Sequence, residues 1–350
     1  MLQNATPGKR SRIAFRVLAL LSLIAAFGQV TLGGVVRVTG SGLGCGDDWP
    51  LCNGHIIPPF NFETIIEYTH RLSASAIGVL VLATLVLAWW AYRTRPWVFI
   101  PMIAAMVLVI IAAAFGAVTV ATDLSWGGRL AHLAIAEALI TALVVANVAG
   151  WRHIRAQGHE PDAGGPVGSP RWSRLVVVMM LGMLLLILSG SFMVGQGAGS
   201  ACATWPLCRG ELFPEGSAYA THMGHRFMAV IIGLLVIGTA MWAWRRRSQW
   251  QGADVASAAL LATFAAQVVF GAAVVWSGFS SEFKALHLSL ATLTWMAGSY
   301  LVAVMQVPTR FSPKSSAVLR PFDLAQGRQA QDERTKTDAA PGEQAREAAR

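Results

Sequence analysis

The sequence predicts an all-α polytopic membrane protein whose eight transmembrane helices form two related four-helix bundles, with both termini in the cytoplasm. Three observations carry this prediction. The 350-residue chain is 55% hydrophobic and only 13% charged, which is too apolar for an ordinary soluble domain. Its apolar runs are long enough to cross about 30 Å of hydrocarbon as helix. The second half of the chain also repeats motifs of the first half.

Eight segments have the length and composition of spanning helices. In chain order they cover residues 17–36, 72–92, 96–122, 130–151, 175–208, 227–244, 255–281 and 285–309. The fourth segment is interrupted by His132 and Glu137. An intramembrane carboxyl group is expected to face the bundle interior, so Glu137 serves there either as a structural polar contact or as part of a proton path.

The basic residues are sorted by loop. They concentrate before the first predicted span, after the second, between the fourth and fifth, after the sixth and in the C-terminal tail. This asymmetry follows the positive-inside rule and places those loops and both termini in the cytoplasm. The net charge of +9 is therefore explained by membrane topology, and we expect lipid but no nucleic acid as a partner. The first apolar run leads into an ordinary membrane helix, so no cleavable signal is expected.

The chain divides into two halves and two polar segments. Residues 1–156 are predicted to form an N-terminal four-helix bundle, and residues 171–307 a C-terminal one. Between them, residues 157–170 are rich in Gly and Pro and form a cytoplasmic linker, while residues 308–350 form a disordered cytoplasmic tail. Each half has an even number of spans, so the halves are parallel repeats related by a pseudo-twofold axis along the membrane normal.

Histidines anchor the repeat. The stretch "HRLSASAIGVLVLA" matches "HRFMAVIIGLLVIG", "FGAVTV" matches "FGAAVV", and the histidines keep an offset of 155 residues. The matched histidines are His70, His132, His225 and His287. Topology places two imidazoles at the outer ends of two helices in each half, at similar depth. Two opposed imidazoles suit porphyrin iron with two axial histidines.

Other metals fit this pattern less well. Each half supplies two nitrogens and no third protein ligand of convincing spacing for zinc or copper. Arg71 and Arg226 follow the first histidine of each pair directly. Their guanidinium groups are placed either to hold heme propionates or to extend to the membrane interface.

One acid breaks the symmetry of the two halves. The repeat offset places His222 opposite Glu67, which precedes His70 by three residues and shares its face if the helix begins early enough. A carboxylate near a porphyrin edge can accept a proton or stabilise a developing cation. The alternative is a solvated loop acid or a charge at a helix N-terminus.

All four cysteines lie in two similar loops, "GCGDDWPLCNG" and "ACATWPLCRG". Topology places both loops on the outer side, where disulfides persist. We expect one disulfide between Cys45 and Cys52 and another between Cys202 and Cys208, each forming a lid over its histidine pair. A redox-active pair is the alternative, and it is strongest for the first loop, which lies beside Glu67.

These motifs together resemble a known family. The strings "GGVVRVTGSGLGCGDDWPLCNG", "EYTHRL" and "RLAHL", repeated more loosely as "WPLCRG", "GHRF" and "ALHL", are similar to heme A synthase over residues 15–305. The resemblance implies an enzyme that oxidises a ring methyl of heme O to a formyl group through successive hydroxylations. The product, heme A, then serves terminal oxidases of the respiratory chain. With both cysteine pairs present, the chain resembles the cysteine-bearing bacterial type.

The resemblance also assigns roles to residues. It implies a heme b cofactor on His225 and His287, substrate heme on His70 and His132, and a catalytic role for Glu67. Our mechanistic hypothesis on these assignments is that Glu67 stabilises an electron-poor methylene on the substrate while electrons leave toward the heme of the C-terminal half. We further expect delivery of heme O by heme O synthase and a cell-membrane location. The loop charges place the heme sites toward the outer face, and the chain is compatible with a homo-oligomer.

The residues taken without the resemblance leave three other functions open. The first is a di-heme b electron-transfer cytochrome with no chemistry on the heme itself. The second is a membrane thiol oxidase that uses the outer-loop cysteine pairs. The third is a transporter built from parallel repeats, in which the histidines bind the transported substrate.

Overall fold

The structure is a computed structural model that describes residues 8–59, 61–156 and 170–308. Within these ranges eight helices are long and apolar enough to span a membrane. They are α1 (Lys9–Val38), α2 (Phe62–Tyr92), α3 (Pro96–Ala121), α4 (Trp126–Ala156), α5 (Pro170–Gly195), α6 (Ser217–Arg245), α7 (Ala253–Trp276) and α8 (Ser281–Gln306). The predicted all-α class and the eight spans are confirmed. The C-terminal tail and nearly all of the predicted linker lie outside the described residues.

The fifth predicted span was too long at its C-terminal end. Helix α5 ends at Gly195, whereas the apolar pattern extends it to residue 208. Gly197 has a φ of +72°, and the Ala198 amide donates to the Met193 carbonyl at 3.0 Å. This is the Schellman ending, in which a left-handed residue directs the chain away from the helix axis. The uncharged residues that follow belong to a loop.

Helix α2 begins earlier than its apolar run. Asn61 precedes the helix, and its side-chain oxygen accepts a hydrogen bond from the Thr64 amide at 2.8 Å, as in an N-cap. The polar first turns of α2 are therefore helical although they are not hydrophobic. As a result Glu67 and His70 both lie inside the helix, one turn apart on one face.

The helices of each half pack around one another in sequence order. Helix α1 contacts α2 and α4, and α3 contacts the same two helices. In the other half α5 and α7 each contact α6 and α8. The halves meet mainly through α4 and α8, with α1 and α5 beside them. In the most apolar stretch of each helix, buried residues make up 56% in α4 and 61% in α8. The corresponding share is at most 28% in every other spanning helix of the described chain. These two helices form the centre of the protein.

Polar contacts join α4 to α8 in the middle of the interface. Glu137 is fully buried, and its Oε1 accepts a hydrogen bond from the Thr292 hydroxyl at 2.7 Å. The indole of Trp295 donates to the Glu137 carbonyl at 2.7 Å. One turn further, the hydroxyls of Thr141 and Ser299 are 2.9 Å apart. The interior of a bilayer offers no water, so these groups satisfy one another across the interface.

Two arginines join the halves at opposite ends of the bundle. Arg152, near the end of α4, donates to the carbonyls of Val304 (2.8 Å) and Val307 at the C-terminal end of α8. Carbonyl groups there have no partner within the helix, so a guanidinium group stabilises them. At the other end, Arg37 of α1 donates to both the hydroxyl and the carbonyl of Ser191 in α5, each at 3.0 Å.

Candidate functional site

The structure brings the four matched histidines together in two pairs. His70 and His132 lie near enough to interact electrostatically in the N-terminal half, as do His225 and His287 in the C-terminal half. Protein atoms surround most of each ring, yet every one of these side chains keeps part of its surface exposed. Each ring is thus largely enclosed by protein without being fully buried.

Each of these rings lies against a glycine of a neighbouring helix, a contact that the histidine motifs do not predict. The facing pairs are Gly33 with His70, Gly116 with His132, Gly190 with His225, and Gly271 with His287. A methyl group added to the glycine would lie 3.1, 3.6, 3.0 and 3.0 Å, respectively, from the Cε1 atom of the ring. The lack of a side chain makes room for the ring. The signal was available, because Gly116 and Gly271 stand in the repeated "FGAVTV" and "FGAAVV" motifs.

Two of the rings have a polar neighbour at Nδ1. The Ser189 hydroxyl lies 2.7 Å from His225 Nδ1 and 2.7 Å from the Leu186 carbonyl. A hydroxyl that donates to the carbonyl can accept from Nδ1–H, which leaves Nε2 as the nitrogen available to a metal. The Gln29 amide nitrogen lies 3.1 Å from His70 Nδ1 and fixes that ring against α1.

The other two rings are less fully satisfied. In the described part of the chain, Nδ1 of His132 and of His287 is buried and makes no hydrogen bond of good geometry, although backbone groups of Ala112 and Gln267, respectively, lie near the two rings. The Gln267 amide nitrogen lies 3.3 Å from His287 Nε2, so a metal on that nitrogen would replace this hydrogen bond. The described part of the chain holds no cluster of three or more His, Cys, Asp or Glu able to bind a metal. Two imidazoles in each half fit heme iron, whose porphyrin supplies its other ligands.

Glu67 lies beneath the first cysteine loop. Its side chain is 4% exposed. Oε2 accepts a hydrogen bond from the Cys45 amide at 2.8 Å, while Oε1 accepts from Nε (3.1 Å) and Nη2 (2.6 Å) of Arg71. Both oxygens accept from N–H groups, which is the arrangement of an ionised carboxylate. The acid is therefore held firmly one turn before His70.

Arg71 and Arg226 tie their helices to the two cysteine loops. Nη1 of Arg71 donates to the carbonyls of Asp48 (2.6 Å) and Leu51 (2.8 Å). Nη1 of Arg226 donates in the same manner to the carbonyls of Thr204 (2.8 Å), Pro206 (2.9 Å) and Leu207 (3.2 Å). These carbonyls engage much of each guanidinium group. Binding of heme propionates by either arginine stays a prediction.

His222 takes the place of Glu67 in the C-terminal half. Its Nε2 lies 3.2 Å from Nη2 of Arg226, and its Nδ1 lies 3.1 Å from the Ala198 carbonyl. Because an arginine can only donate, Nε2 is the acceptor and Nδ1 carries the proton. His222 thus repeats the structural contact of Glu67 with its arginine but brings no negative charge.

Both cysteine loops are closed by the predicted disulfides. Cys45 is bonded to Cys52 and Cys202 to Cys208, with S–S distances of 2.04 and 2.07 Å. All four cysteines are at most 1% exposed. Thiol–disulfide exchange requires access for an attacking thiolate, so this burial favours a structural lid over a redox-active pair.

The first loop is held directly on α2. A methyl group added to Gly44 would lie 2.4 Å from the Glu63 carbonyl carbon, so the close approach of the two backbones requires glycine. The Gly44 carbonyl accepts a hydrogen bond from the Thr64 hydroxyl at 2.7 Å. These contacts position the next residue, Cys45, so that its amide points at Glu67.

Comparisons with known proteins identify the family to which the chain belongs. The sequence model of the cytochrome oxidase assembly protein family (COX15-CtaA) matches residues 16–297, with a second match over residues 215–325. Relatives named heme A synthase include that of Exiguobacterium sp., 30% identical over 77% of this chain and 86% of its own length. The heme A synthase of Symbiobacterium thermophilum is 28% identical over 82% of this chain and 94% of its own length. That of Alkalihalophilus pseudofirmus is 25% identical over 83% of this chain and 98% of its own length. The chain belongs to the COX15-CtaA family of cytochrome oxidase assembly proteins.

Proposed function

We propose that this chain is a heme A synthase, an oxidoreductase that converts a ring methyl of heme O to a formyl group and so supplies heme A to terminal oxidases. The relatives that carry this name align with it over most of their lengths. One structural observation supports the assignment most strongly. Two imidazole pairs of similar build lie in the two halves, and a buried carboxylate, Glu67, lies one helical turn before His70, where the C-terminal half has the neutral His222.

The two halves divide the work in this proposal. His70 and His132 hold the iron of the substrate heme, and His225 and His287 hold heme b as the resident cofactor. When bound there, heme b supplies a one-electron redox centre. The Ser189 hydroxyl beside His225 Nδ1 supports this role, because it orients the ring and leaves Nε2 as the ligand.

Glu67 is the catalytic residue in this proposal. Its ionised carboxylate is pre-positioned by the Cys45 amide and by Arg71, so no reorganisation is needed when positive charge develops on a substrate nearby. The equivalent His222 supplies no such charge. Arg71 and Arg226 act at the rims of the two heme pockets, where each holds its disulfide loop in place.

The protein is a multi-pass membrane protein, and we place it in the cell membrane with the histidine pairs toward the outer face. The distribution of basic residues among the loops supports that orientation. In the same proposal heme O is delivered by heme O synthase, and the chain is compatible with assembly into a homo-oligomer.

The decisive experiment identifies the heme that the protein produces. The protein is purified from cells that also make heme O, and its non-covalently bound heme is extracted and separated by chromatography with mass detection. We expect heme A among the extracted hemes. Heme b together with unconverted heme O, and no heme A, would overturn the proposal in favour of a di-heme electron-transfer protein.

A further inference from the structure

Two arginines of the N-terminal half lie one helical turn beyond the histidine pair, on the side of the first cysteine loop. Arg37 follows Gly33 by four residues on α1, and Gly33 is the glycine that contacts His70. Arg129 precedes His132 by three residues on α4. Residues three or four apart share a helix face and are about 5 Å apart along the axis. Both arginine side chains therefore leave their helices on the same faces as Gly33 and His132. They do so one turn closer to the first cysteine loop.

Contacts of α1, α4 and α5 bring the two arginines to one place. Arg37 binds Ser191 of α5 through two hydrogen bonds of 3.0 Å. The next residue, Phe192, packs edge-on against Trp126, with ring centroids 5.4 Å apart. Trp126 opens α4 one turn before Arg129. The two guanidinium groups are close enough for their charges to interact.

Neither arginine has a counter-charge within the protein as described. Among residues 8–59, 61–156 and 170–308, no carboxylate forms a salt bridge with Arg37 or Arg129. The Nε atom of Arg129 is buried and lacks a hydrogen-bond partner in the same part of the chain. Two like charges held partly out of water are unfavourable unless an anion lies between them. The site is therefore suited to an anion, and Arg is the residue that binds carboxylates in a two-pronged geometry.

The C-terminal half does not repeat this pair. The residue four positions after Gly190 is Val194, and the residue three positions before His287 is Lys284. Lys284 lies 6.0 Å from the ring of Phe279. The paired guanidinium groups thus belong to the half whose histidines we assign to the substrate.

We propose that Arg37 and Arg129 bind a propionate carboxylate of the heme that His70 and His132 hold. This inference rests on the proposed function, in which that pair holds the substrate heme. Propionates project from one edge of a porphyrin, so a carboxylate site one helical turn from the axial ligands fixes the rotation of the ring about its iron. That rotation decides which ring methyl faces Glu67. The two arginines are positioning residues that select the methyl group to be oxidised.

The test compares a heme that carries free propionates with one in which they are blocked. Purified protein in detergent, with its resident heme, is titrated with hemin and with hemin dimethyl ester, and binding is followed by Soret absorption. We expect Arg129→Gln to weaken hemin binding roughly tenfold to a hundredfold, as loss of a charge-assisted hydrogen bond does, and to leave binding of the ester unchanged. The hemin affinity of Arg129→Lys should lie between those of Arg129→Gln and the unaltered protein. The control Arg209→Gln, in the second cysteine loop, should bind hemin like the unaltered protein.

Three outcomes overturn the inference. The first is that Arg129→Gln binds hemin as tightly as the unaltered protein. The second is that Arg129→Gln loses affinity equally for hemin and for the ester. Loss of the resident heme instead of the added one, measured as heme per protein by the pyridine hemochrome method, would assign the arginines to the other half. Failure of the proposed function looks different, because a protein that discriminates hemin from its ester but makes no heme A keeps this site and loses the activity.

Discussion

The carboxylate of Glu67 accepts a hydrogen bond from the backbone amide of Cys45 at a distance of 2.8 Å. The amide belongs to a residue whose sulfur closes the first loop in a disulfide. The position of the acid and the conformation of the loop are thus coupled. The carbonyl of the preceding residue, Gly44, is fixed in turn by Thr64 at the start of the same helix. Loop, helix and acid form one unit above His70.

Replacing Glu67 by glutamine tests its catalytic role. Gln has nearly the same shape, but it carries no charge and presents an NH₂ group to one of the N–H donors that now face the carboxylate. We expect Glu67→Gln to lower heme A formation roughly a hundredfold, the scale on which loss of a pre-positioned electrostatic group acts, and to accumulate heme O or a hydroxylated intermediate. Chromatography of extracted hemes measures both.

The matched control is His222→Gln at the equivalent position of the C-terminal half. It disturbs a similar contact with an arginine, Arg226, but removes no group from the substrate half. Heme A production should stay near that of the unaltered protein. Normal heme A output from Glu67→Gln would contradict the catalytic assignment.

The glycines that face the histidines should control heme retention. Alanine at Gly190 would place a methyl group 3.0 Å from the His225 ring, whereas alanine at Gly116 would lie 3.6 Å from His132, an ordinary contact. We expect Gly190→Ala to lower the resident heme content measured by the Soret band by half or more. Gly116 lies in the substrate half and its added methyl makes only an ordinary contact, so Gly116→Ala should keep the resident heme and gain up to about 1 kcal/mol of helix stability. Equal heme content in the two variants would show that the ring tolerates the methyl group.

The second disulfide should be structural. Replacing Cys202 and Cys208 together by serine should lower the free energy of unfolding by about 2 kcal/mol, the chain-entropy value for so short a loop. Heme A formation should persist at temperatures well below the unfolding transition. Unfolding is followed by near-ultraviolet circular dichroism in detergent. A membrane thiol oxidase would behave in the opposite way, with activity abolished by this change and retained in His225→Ala.

Thr292 should stabilise the interface between the halves. Its hydroxyl donates to the buried carboxyl of Glu137, so Thr292→Val leaves a buried acceptor with one partner fewer and should cost about 1–3 kcal/mol. Thr239 is also buried, and its hydroxyl has no hydrogen-bond partner among the described residues. Thr239→Val should therefore be neutral or stabilising. Comparison of the two unfolding temperatures checks the prediction, and equal shifts would contradict it.

The sequence predicted the helices well because the bilayer imposes one rule on every span. Apolar length alone identifies eight spans, since each backbone polar group must be satisfied within its own helix. Ends were harder. Gly197 terminates α5 through a conformation that hydropathy does not register, and Asn61 begins α2 in a polar stretch. Both ends depend on hydrogen bonds of single residues.

The site was predicted in part. The repeat singled out the four histidines and Glu67, because identical spacing in two halves is a long-range signal. It could not show that Arg71 would bind Asp48 and Leu51, since those contacts depend on how the loop folds back over α2. The contact of Arg37 could not be predicted either, because its partner Ser191 lies 154 residues away on another helix.

Glu137 and Thr292 occupy the same position in the two halves, 155 residues apart, and they touch each other. If two identical half-proteins met at this contact, each residue would face its own copy. Two glutamates there would compete for a single proton, and two threonines would pair only through their hydroxyl groups, with no carboxyl acceptor. A matched acid and hydroxyl therefore requires that the two halves differ at this position. A protein made of two copies of either half would lose this contact, so each half is specific for the other here.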